Sequence, residues 1–314
     1  QANNLDGEQL VRQADQAMYQ AKQSGKNAYH VFDTEKDAFN RDLIRSLNNI
    51  EQALLNDEFV LHYQPKVSMT SDKVIGVEAL IRWQHPERGL LYPADFLSCV
   101  EHTQLSVKMS EWVINKALTQ IEIWCEQGLE LPVSVNIGVM ELQKTNFVEW
   151  ISGLIEQHPN VENRMLELEV LETSALEDVM SIKELITECK NKGILFALDD
   201  FGTGFASLSY LKRLPIETIK IDQSFIYNMF EDPEDITLLE GLIGLTKSLN
   251  RKVIAEGIET EEHGCMLVEL GCDYGQGYFI AKPMLPELIP KWLDTWHVPK
   301  SWLNKTSHLE KVKS

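Results

Sequence analysis

The chain has 314 residues, 44% of them hydrophobic and 25% charged, which is typical of a globular protein with a sizeable core. Its 29 Lys and Arg against 48 Asp and Glu give a formal net charge of −19, and this acidity argues against a binder of nucleic-acid polymers. The five cysteines show no CxxC spacing, and no apolar run reaches about 20 residues. We therefore expect a cytoplasmic fragment without membrane contact. Any membrane tether of the parent protein would lie upstream.

The first residues predict one helix and one strand. GEQLVRQADQAMYQAKQSG keeps apolar residues at helical spacing up to Gly25, and AYHVF at 28–32 has the pattern of a strand. A single helix and a single strand cannot bury a core, so residues 1–33 are expected to be the end of a larger domain. A second helix, from about Lys36 to Leu55, is expected within a linking segment, residues 34–58.

From Phe59 onward, eight short apolar runs alternate with segments of helical periodicity, which predicts a parallel sheet with helical crossovers. Only SMTSDK separates the first two runs. Because a parallel crossover needs a dozen or more residues, these two strands are expected to form an antiparallel hairpin. Eight strands and about seven helices over roughly 240 residues fit an α/β (βα)8 TIM-like barrel with an antiparallel first strand. The barrel is assigned to residues 59–298 and a polar tail to residues 299–314.

Acid or amide side chains end most of these strands at the same relative place. Catalytic groups of such barrels lie at the C-terminal strand ends, so these side chains are expected to meet. Carboxylate and amide oxygens suit Mg²⁺ or Mn²⁺. The series therefore predicts a metal site formed by Glu78, Asn136, Glu169, Asp199 and Asp200. Taken singly, each has a plainer explanation, such as a turn, a helix cap or a solvated strand face. The histidines form no HxxxH or HxH cluster, which argues against a zinc hydrolase.

Two further strands carry groups suited to phosphate chemistry. Lys220 is either a buried ion-pair partner or a group that holds an attacking water and offsets phosphate charge. Glu256 and Glu259 are three residues apart, so one is expected to face the site while the other supports it. Two oxygen-bound ions about 3.5–4 Å apart would explain the number of acids and would reverse the local negative field for an anionic substrate. Arg82 is the nearest further cation in sequence.

At this point the chain resembles a known family. Glu78-Ala79-Leu80, within GVEALIRWQHPERGLLYPADF, resembles the signature of EAL-type cyclic di-GMP phosphodiesterases. The likeness covers about residues 40–295 and continues in the family's order through SVNIG, LELEVLETSAL, FALDDFGTGFASLSYL, IKID, VIAEGIE and DYGQGYF. The opening ADQAMYQAKQSGKNAYHVFD resembles the end of a GGDEF diguanylate cyclase domain. The cyclase signature itself is absent, so this fragment is not expected to synthesise the dinucleotide.

The resemblance implies hydrolysis of cyclic di-GMP to linear pGpG with two Mg²⁺ or Mn²⁺ ions, by a homodimer formed through the barrel. Calcium, which is larger and less demanding of geometry, is expected to permit binding and inhibit turnover. Lys220 would hold the attacking water, and Glu256 would act as acid–base. The implied metal ligands are Glu78, Asn136, Glu169, Asp199, Asp200 and Glu256. The implied substrate contacts are Gln64, Leu80, Arg82 and Gln276, and the implied loop supports are Glu172 and Glu259.

Three residues, in two segments, depart from the family pattern. The loop after Asp200 has Phe205 and Ala206 where Tyr and Ser are common, and Gly138 stands where Ser is common. None of the three is an implied metal ligand, so the chemistry is expected to survive. The coupling of this loop, which Glu172 would brace, to dimerisation is expected to weaken. The main alternative is a catalytically silent cyclic di-GMP receptor; receptors of that kind typically lose a metal ligand, and this chain keeps them all. An unrelated metal-dependent barrel hydrolase is the third possibility.

Overall fold

The computed structural model describes residues 7–23, 29, 31, 33–101, 103–176, 179–204 and 211–303. The chain divides into two compact units, Gln1–Ala53 and Leu54–Ser314. The first contains helix α1 (Gly7–Gln23) and most of α2 (Thr34–Leu55), in agreement with the apolar spacing. The strand expected over 28–32 lies largely outside the described residues, and Tyr29 and Val31, which are described, belong to no strand. The GGDEF-like origin of residues 1–33 stays a prediction.

The strands of the second unit form one closed sheet. Its order is β1-β9-β8-β7-β6-β5-β4-β2-β3, and β1 also pairs with β2, so that eight strands form a barrel and β3 extends β2 as a short hairpin. β1 is antiparallel to both of its neighbours, and the other barrel pairs are parallel. The expected barrel with a reversed first strand is therefore confirmed. The strands are β1 (Phe59–Ser68), β2 (Val74–His85), β3 (Gly89–Leu91), β4 (Val133–Ile137), β5 (Leu166–Leu171), β6 (Leu195–Phe201), β7 (Thr218–Ile221), β8 (Lys252–Ala255) and β9 (Tyr274–Gly275).

Helices connect the parallel strands, in agreement with the alternation of apolar runs and segments of helical periodicity. Their starts follow from local chemistry: the side chains of Thr103, Asp232 and Thr260 cap three of them by accepting backbone N–H groups. Among the described residues, no helix is both long and apolar enough to cross a bilayer. The helices are α3 (Gln104–Glu126), α4 (Val139–Leu142), α5 (Phe147–Glu156), α6 (Glu172–Leu176), α7 (Val179–Asn191), α8 (Gln223–Tyr227), α9 (Pro233–Ser248), α10 (Glu261–Glu269), α11 (Ile289–Leu293) and α12 (Lys300–Leu303).

The two faces of the barrel strands differ in chemistry. Outward residues such as Ile221 and Val253 join one apolar cluster with Leu239 of α9 and Met266 of α10. Most polar residues of the strands face inward and contact one another across strands, as Lys220 of β7 does with acids from β2 and β5. Because neighbouring residues of a strand face opposite sides, the helices supply the apolar core and the interior is left for charged groups.

Candidate active site

Lys220 is the centre of the charged cluster at the C-terminal end of the barrel. Its side chain is 1% exposed and its Nζ lies close to four carboxylates from four other parts of the barrel. The distances from Nζ are 2.6 Å to Glu169 Oε2, 2.8 Å to Glu256 Oε1, 3.0 Å to Asp199 Oδ1 and 3.3 Å to Glu78 Oε2. One ammonium group therefore contacts four carboxyl groups, so acidic side chains outnumber cations in the cluster.

The acids fall into two groups that share one member. Glu78, Glu169 and Asp199 form the first, and Asp199, Asp200 and Glu256 form the second; in each, one oxygen from every side chain lies within 4.8 Å of the others. Asn136, the amide predicted for this site, donates from Nδ2 to Glu78 Oε1 at 2.9 Å. The structure thus brings all six predicted metal ligands together.

A bulge lets two consecutive aspartates face the same site. In a regular strand Asp199 and Asp200 would point to opposite faces. Here the pairing of β6 with β7 shifts register between Leu198 and Phe201, and Asp200 has φ 52°, in the left-handed region. A bulge inserts an unpaired residue and redirects its side chain, which explains why both carboxylates take part in the second group.

Burial and crowding make these acids reluctant to ionise together. Burial is the main influence that raises the pKa of Glu169, Asp199 and Glu256; neighbouring acids add to it and the charge of Lys220 opposes it. Burial and the charge of Asp199 raise the pKa of Asp200 to about 6. Burial disfavours the charged form of Lys220, but the acids outweigh it and raise that pKa well above its usual value. Such a cluster favours the binding of further positive charge.

A cavity of about 330 Å³ opens beside the acids. Glu78 both lines this cavity and belongs to the first acid group, so the cavity and the acids are adjacent. Gln276 Nε2 donates to Glu78 Oε2 at 2.7 Å and to Gln64 Oε1 at 3.1 Å. Gln64 in turn donates to the backbone oxygen of Ala281 at 3.0 Å. The side chains and backbone that line the cavity belong to Gln64, Glu78, Leu80, Arg82, Gln223, Glu256, Gly257, Glu259, Gln276, Gly277, Tyr278 and Pro283. All four predicted substrate contacts are among them.

Arg82 is a buried cation that does not use all of its hydrogen-bond donors within the described part of the chain. Its Nη1 donates to the Ile81 carbonyl at 2.8 Å, its guanidinium carbon lies 5.0 Å from the ring centroid of Tyr92, and its Nε has no partner among the described residues. Burial lowers the pKa of this guanidinium, although an arginine stays charged at neutral pH. A buried cation at a cavity wall is suited to an anionic ligand.

The two predicted loop supports differ. Glu172 is buried, and its Oε2 accepts from the backbone N–H of Gly202 at 2.8 Å and of Gly204 at 3.4 Å, so it does hold the segment after Asp200. Positions 205 and 206 lie outside the described residues. Glu259 is exposed at the cavity, and its carboxylate makes no hydrogen bond or ion pair within the described ranges; only its backbone N–H does, to His263 Nδ1 at 3.4 Å.

Some residues of the site were not predicted from the sequence. Lys66 lies within the barrel, 3% exposed, with Nζ 3.2 Å from Glu169 Oε1. Gln223 and Pro283 line the cavity. The alternation of β1 offers a signal for Lys66, since it shares a strand face with Gln64, two residues earlier. Gln223 follows a strand end, as the predicted acids do, but an amide at a helix start carries no distinguishing pattern.

Comparison with known proteins agrees with this geometry. The bifunctional diguanylate cyclase/cyclic di-GMP phosphodiesterase MucR of Pseudomonas aeruginosa is 37% identical over 280 residues, which cover 89% of this chain and 41% of that protein. The cyclic di-GMP phosphodiesterase PdeR of Escherichia coli is 35% identical over 287 residues, 91% of this chain and 43% of that one. The chain thus spans about two fifths of the length of these relatives.

Solved structures and a family model extend the comparison. A structure described as the PaMucR phosphodiesterase in complex with c-di-GMP superposes with a TM-score of 0.75 at 37% identity, covering 78% of this chain and 99% of that one. A structure of the EAL enzyme Bd1971, with cAMP and cyclic di-GMP bound, superposes with a TM-score of 0.77 at 30% identity. The superposition covers 92% of this chain and 77% of that one. The EAL domain model matches residues 47–283, which is most of the barrel. The chain therefore belongs to the EAL domain family.

Proposed function

We propose that this chain hydrolyses cyclic di-GMP to linear pGpG. The observation that carries the proposal is the placement of two acid groups, joined through Asp199, directly beside a cavity that contains a buried arginine. The names of MucR and PdeR as cyclic di-GMP phosphodiesterases, and the MucR complex with the dinucleotide, support the choice of substrate. A receptor would gain nothing from crowded carboxylates, which repel an anionic ligand in the absence of cations.

The donor set fits two Mg²⁺ or Mn²⁺ ions. It contains only oxygen ligands, which these hard cations prefer, and neither histidine nor cysteine contributes to either acid group. Glu78, Asn136, Glu169 and Asp199 would hold one ion, and Asp199, Asp200 and Glu256 the other. Ions so bound would supply an activated water and stabilise charge on the reacting phosphodiester.

The remaining roles follow from position. Lys220 Nζ, within 3.3 Å of four acids, is suited to hold the attacking water and to offset phosphate charge. Glu256 lines the cavity with its Oε1 2.8 Å from Lys220 Nζ, and it would act as the acid–base group beside the second ion. Arg82 would bind a phosphate, and Gln64 and Gln276 would orient the ligand. Leu80 adds apolar contact at the same wall.

Assembly and location complete the proposal. We propose a homodimer formed through the barrel, with the segment held by Glu172 next to the interface. A cytoplasmic location is supported by the state of the cysteines, because all five are free thiols.

The test is incubation with cyclic di-GMP and Mg²⁺, followed by chromatography for pGpG. Glu78→Gln and a chelated sample should give no product, while Glu130→Gln, which changes an exposed glutamate away from the cavity, should behave as wild type. Calcium in place of Mg²⁺ should preserve binding and suppress turnover. Intact dinucleotide that binds but is not cut in Mg²⁺ or Mn²⁺ would refute the enzyme and favour the receptor. Product that persists in Glu78→Gln would refute the site.

A further inference from the structure

We infer that Lys66 is a positioning residue that fixes the orientation of the Glu169 carboxylate. This inference rests on the proposed function, in which Glu169 is a metal ligand. Lys66 lies on β1, the reversed strand, and its Nζ reaches 3.2 Å from Glu169 Oε1 and 2.9 Å from Glu167 Oε2. It also donates to Ser134 Oγ. The ammonium group therefore joins the reversed strand to β4 and β5 inside the barrel.

The contacts divide the two oxygens of Glu169 between two lysines. Oε1 lies against Lys66, whereas Oε2 lies 2.6 Å from Lys220. The Glu169 side chain is fully buried, so bulk water does not compete with either contact. A carboxylate held at one oxygen from within the barrel presents its other oxygen to the acid groups in one orientation. This is the arrangement by which an outer partner orients a metal-binding carboxylate.

Glu167 explains why Lys66 can stay in this position. Its Oε2 accepts from Ser134 Oγ at 2.6 Å as well as from Lys66, and its Oε1 accepts from Thr218 Oγ1 at 2.9 Å. Glu167 is thus a fixed counter-charge, while the bond from Lys66 to Glu169 is the one that points toward the site. A purely structural ion pair between Lys66 and Glu167 would not need the second bond.

Two variants distinguish the contact of Lys66 with Glu167 from its contact with Glu169. Glu167→Gln removes the counter-charge but keeps Lys66 against Glu169; Lys66→Met/Glu167→Gln removes the Glu169 contact without leaving Glu167 charged and unpaired. The affinity for Mn²⁺ is measured by electron paramagnetic resonance of free Mn²⁺, and the melting temperature is measured in chelator. Lys66→Gln/Glu167→Gln replaces the Met variant if that one does not fold. Lys116→Met, at a half-exposed lysine, controls for loss of a charge.

We expect the double variant to bind Mn²⁺ about 10- to 100-fold more weakly than Glu167→Gln, the usual effect of losing an outer partner. Glu167→Gln and Lys116→Met should stay within about threefold of wild type. Equal Mn²⁺ affinity in the double variant and Glu167→Gln would overturn the inference, even if both melt at a lower temperature. Wild-type protein that binds no Mn²⁺ would overturn it differently, by removing the metal site on which it rests.

Discussion

Replacement of Lys220 by methionine is the sharpest perturbation of the acid cluster. The side chains are similar in length, so packing changes little, but four carboxylates lose the ammonium that lies 2.6–3.3 Å from them. At about 3 Å and an effective dielectric constant of about 20, each pair attracts by about 5–6 kcal/mol. The desolvation of Lys220 and the mutual repulsion of the acids offset most of this. Removal of one partner from a buried ion pair costs about 3–5 kcal/mol.

The assay is thermal unfolding in chelator and in excess Mn²⁺. With about 2–4 °C per kcal/mol for a domain of this size, Lys220→Met should lower the melting temperature in chelator by about 10 °C. Mn²⁺ supplies positive charge to the same acids and, at about 100 times its Kd, adds about 2.7 kcal/mol. Mn²⁺ should therefore raise the melting temperature of the variant by much of the amount that the substitution removed. The variant should still show no turnover.

Lys252→Met, at an exposed position on β8, is the matched control and should melt with the wild type. A Lys220→Met protein that melts within about 1–2 °C of wild type in chelator would refute the counter-charge argument, since that shift corresponds to less than about 1 kcal/mol. Normal hydrolysis by the same variant would refute the role of Lys220 in holding the attacking water.

Three further results follow from the site. Asp199→Asn removes the carboxylate shared by both acid groups and should reduce pGpG formation at least about 1,000-fold with unchanged circular dichroism; retained turnover would remove Asp199 from the site. Arg82→Ala should weaken cyclic di-GMP binding in Ca²⁺ about 10- to 100-fold by calorimetry, relative to the exposed control Arg88→Ala, and equal affinities would count against phosphate contact. Because Asp200 has a folded-state pKa of about 6, above its unfolded value near 3.9, stability in chelator should fall as pH rises from about 4 to 6. Asp200→Asn should flatten that slope, and a slope identical to wild type would contradict the assignment.

The sequence was sufficient for the barrel and for most of the site because both depend on local patterns. The short segment between β1 and β2 excludes a parallel crossover, and strand-end acids necessarily meet when the parallel strands that carry them close into a barrel. Asn136 and Glu169 are direct partners in the register of β4 and β5. Their proximity is therefore a consequence of strand order and register.

One contact that the sequence did not indicate forms only when the barrel closes. The contact between Lys66 and Glu169 joins residues 103 positions apart through the stagger of strands that are not sequence neighbours. β3 has only three residues, too few for a periodic pattern. Glu259 shows the limit of spacing as a guide: its distance of three residues from Glu256 suggested a brace, whereas its side chain is exposed and makes no hydrogen bond in the described part of the chain.

The bulge at Asp199 and Asp200 makes this site depend on residue count as well as residue type. Two adjacent aspartates act together only because one of them is surplus to the β6–β7 pairing. A relative could therefore keep both aspartates and still lose the second group of ligands, if deletion of a neighbouring residue of β6 restores regular pairing and turns one carboxylate to the other face. When family members are sorted into enzymes and silent receptors, the length of this segment is thus as informative as the identity of its side chains.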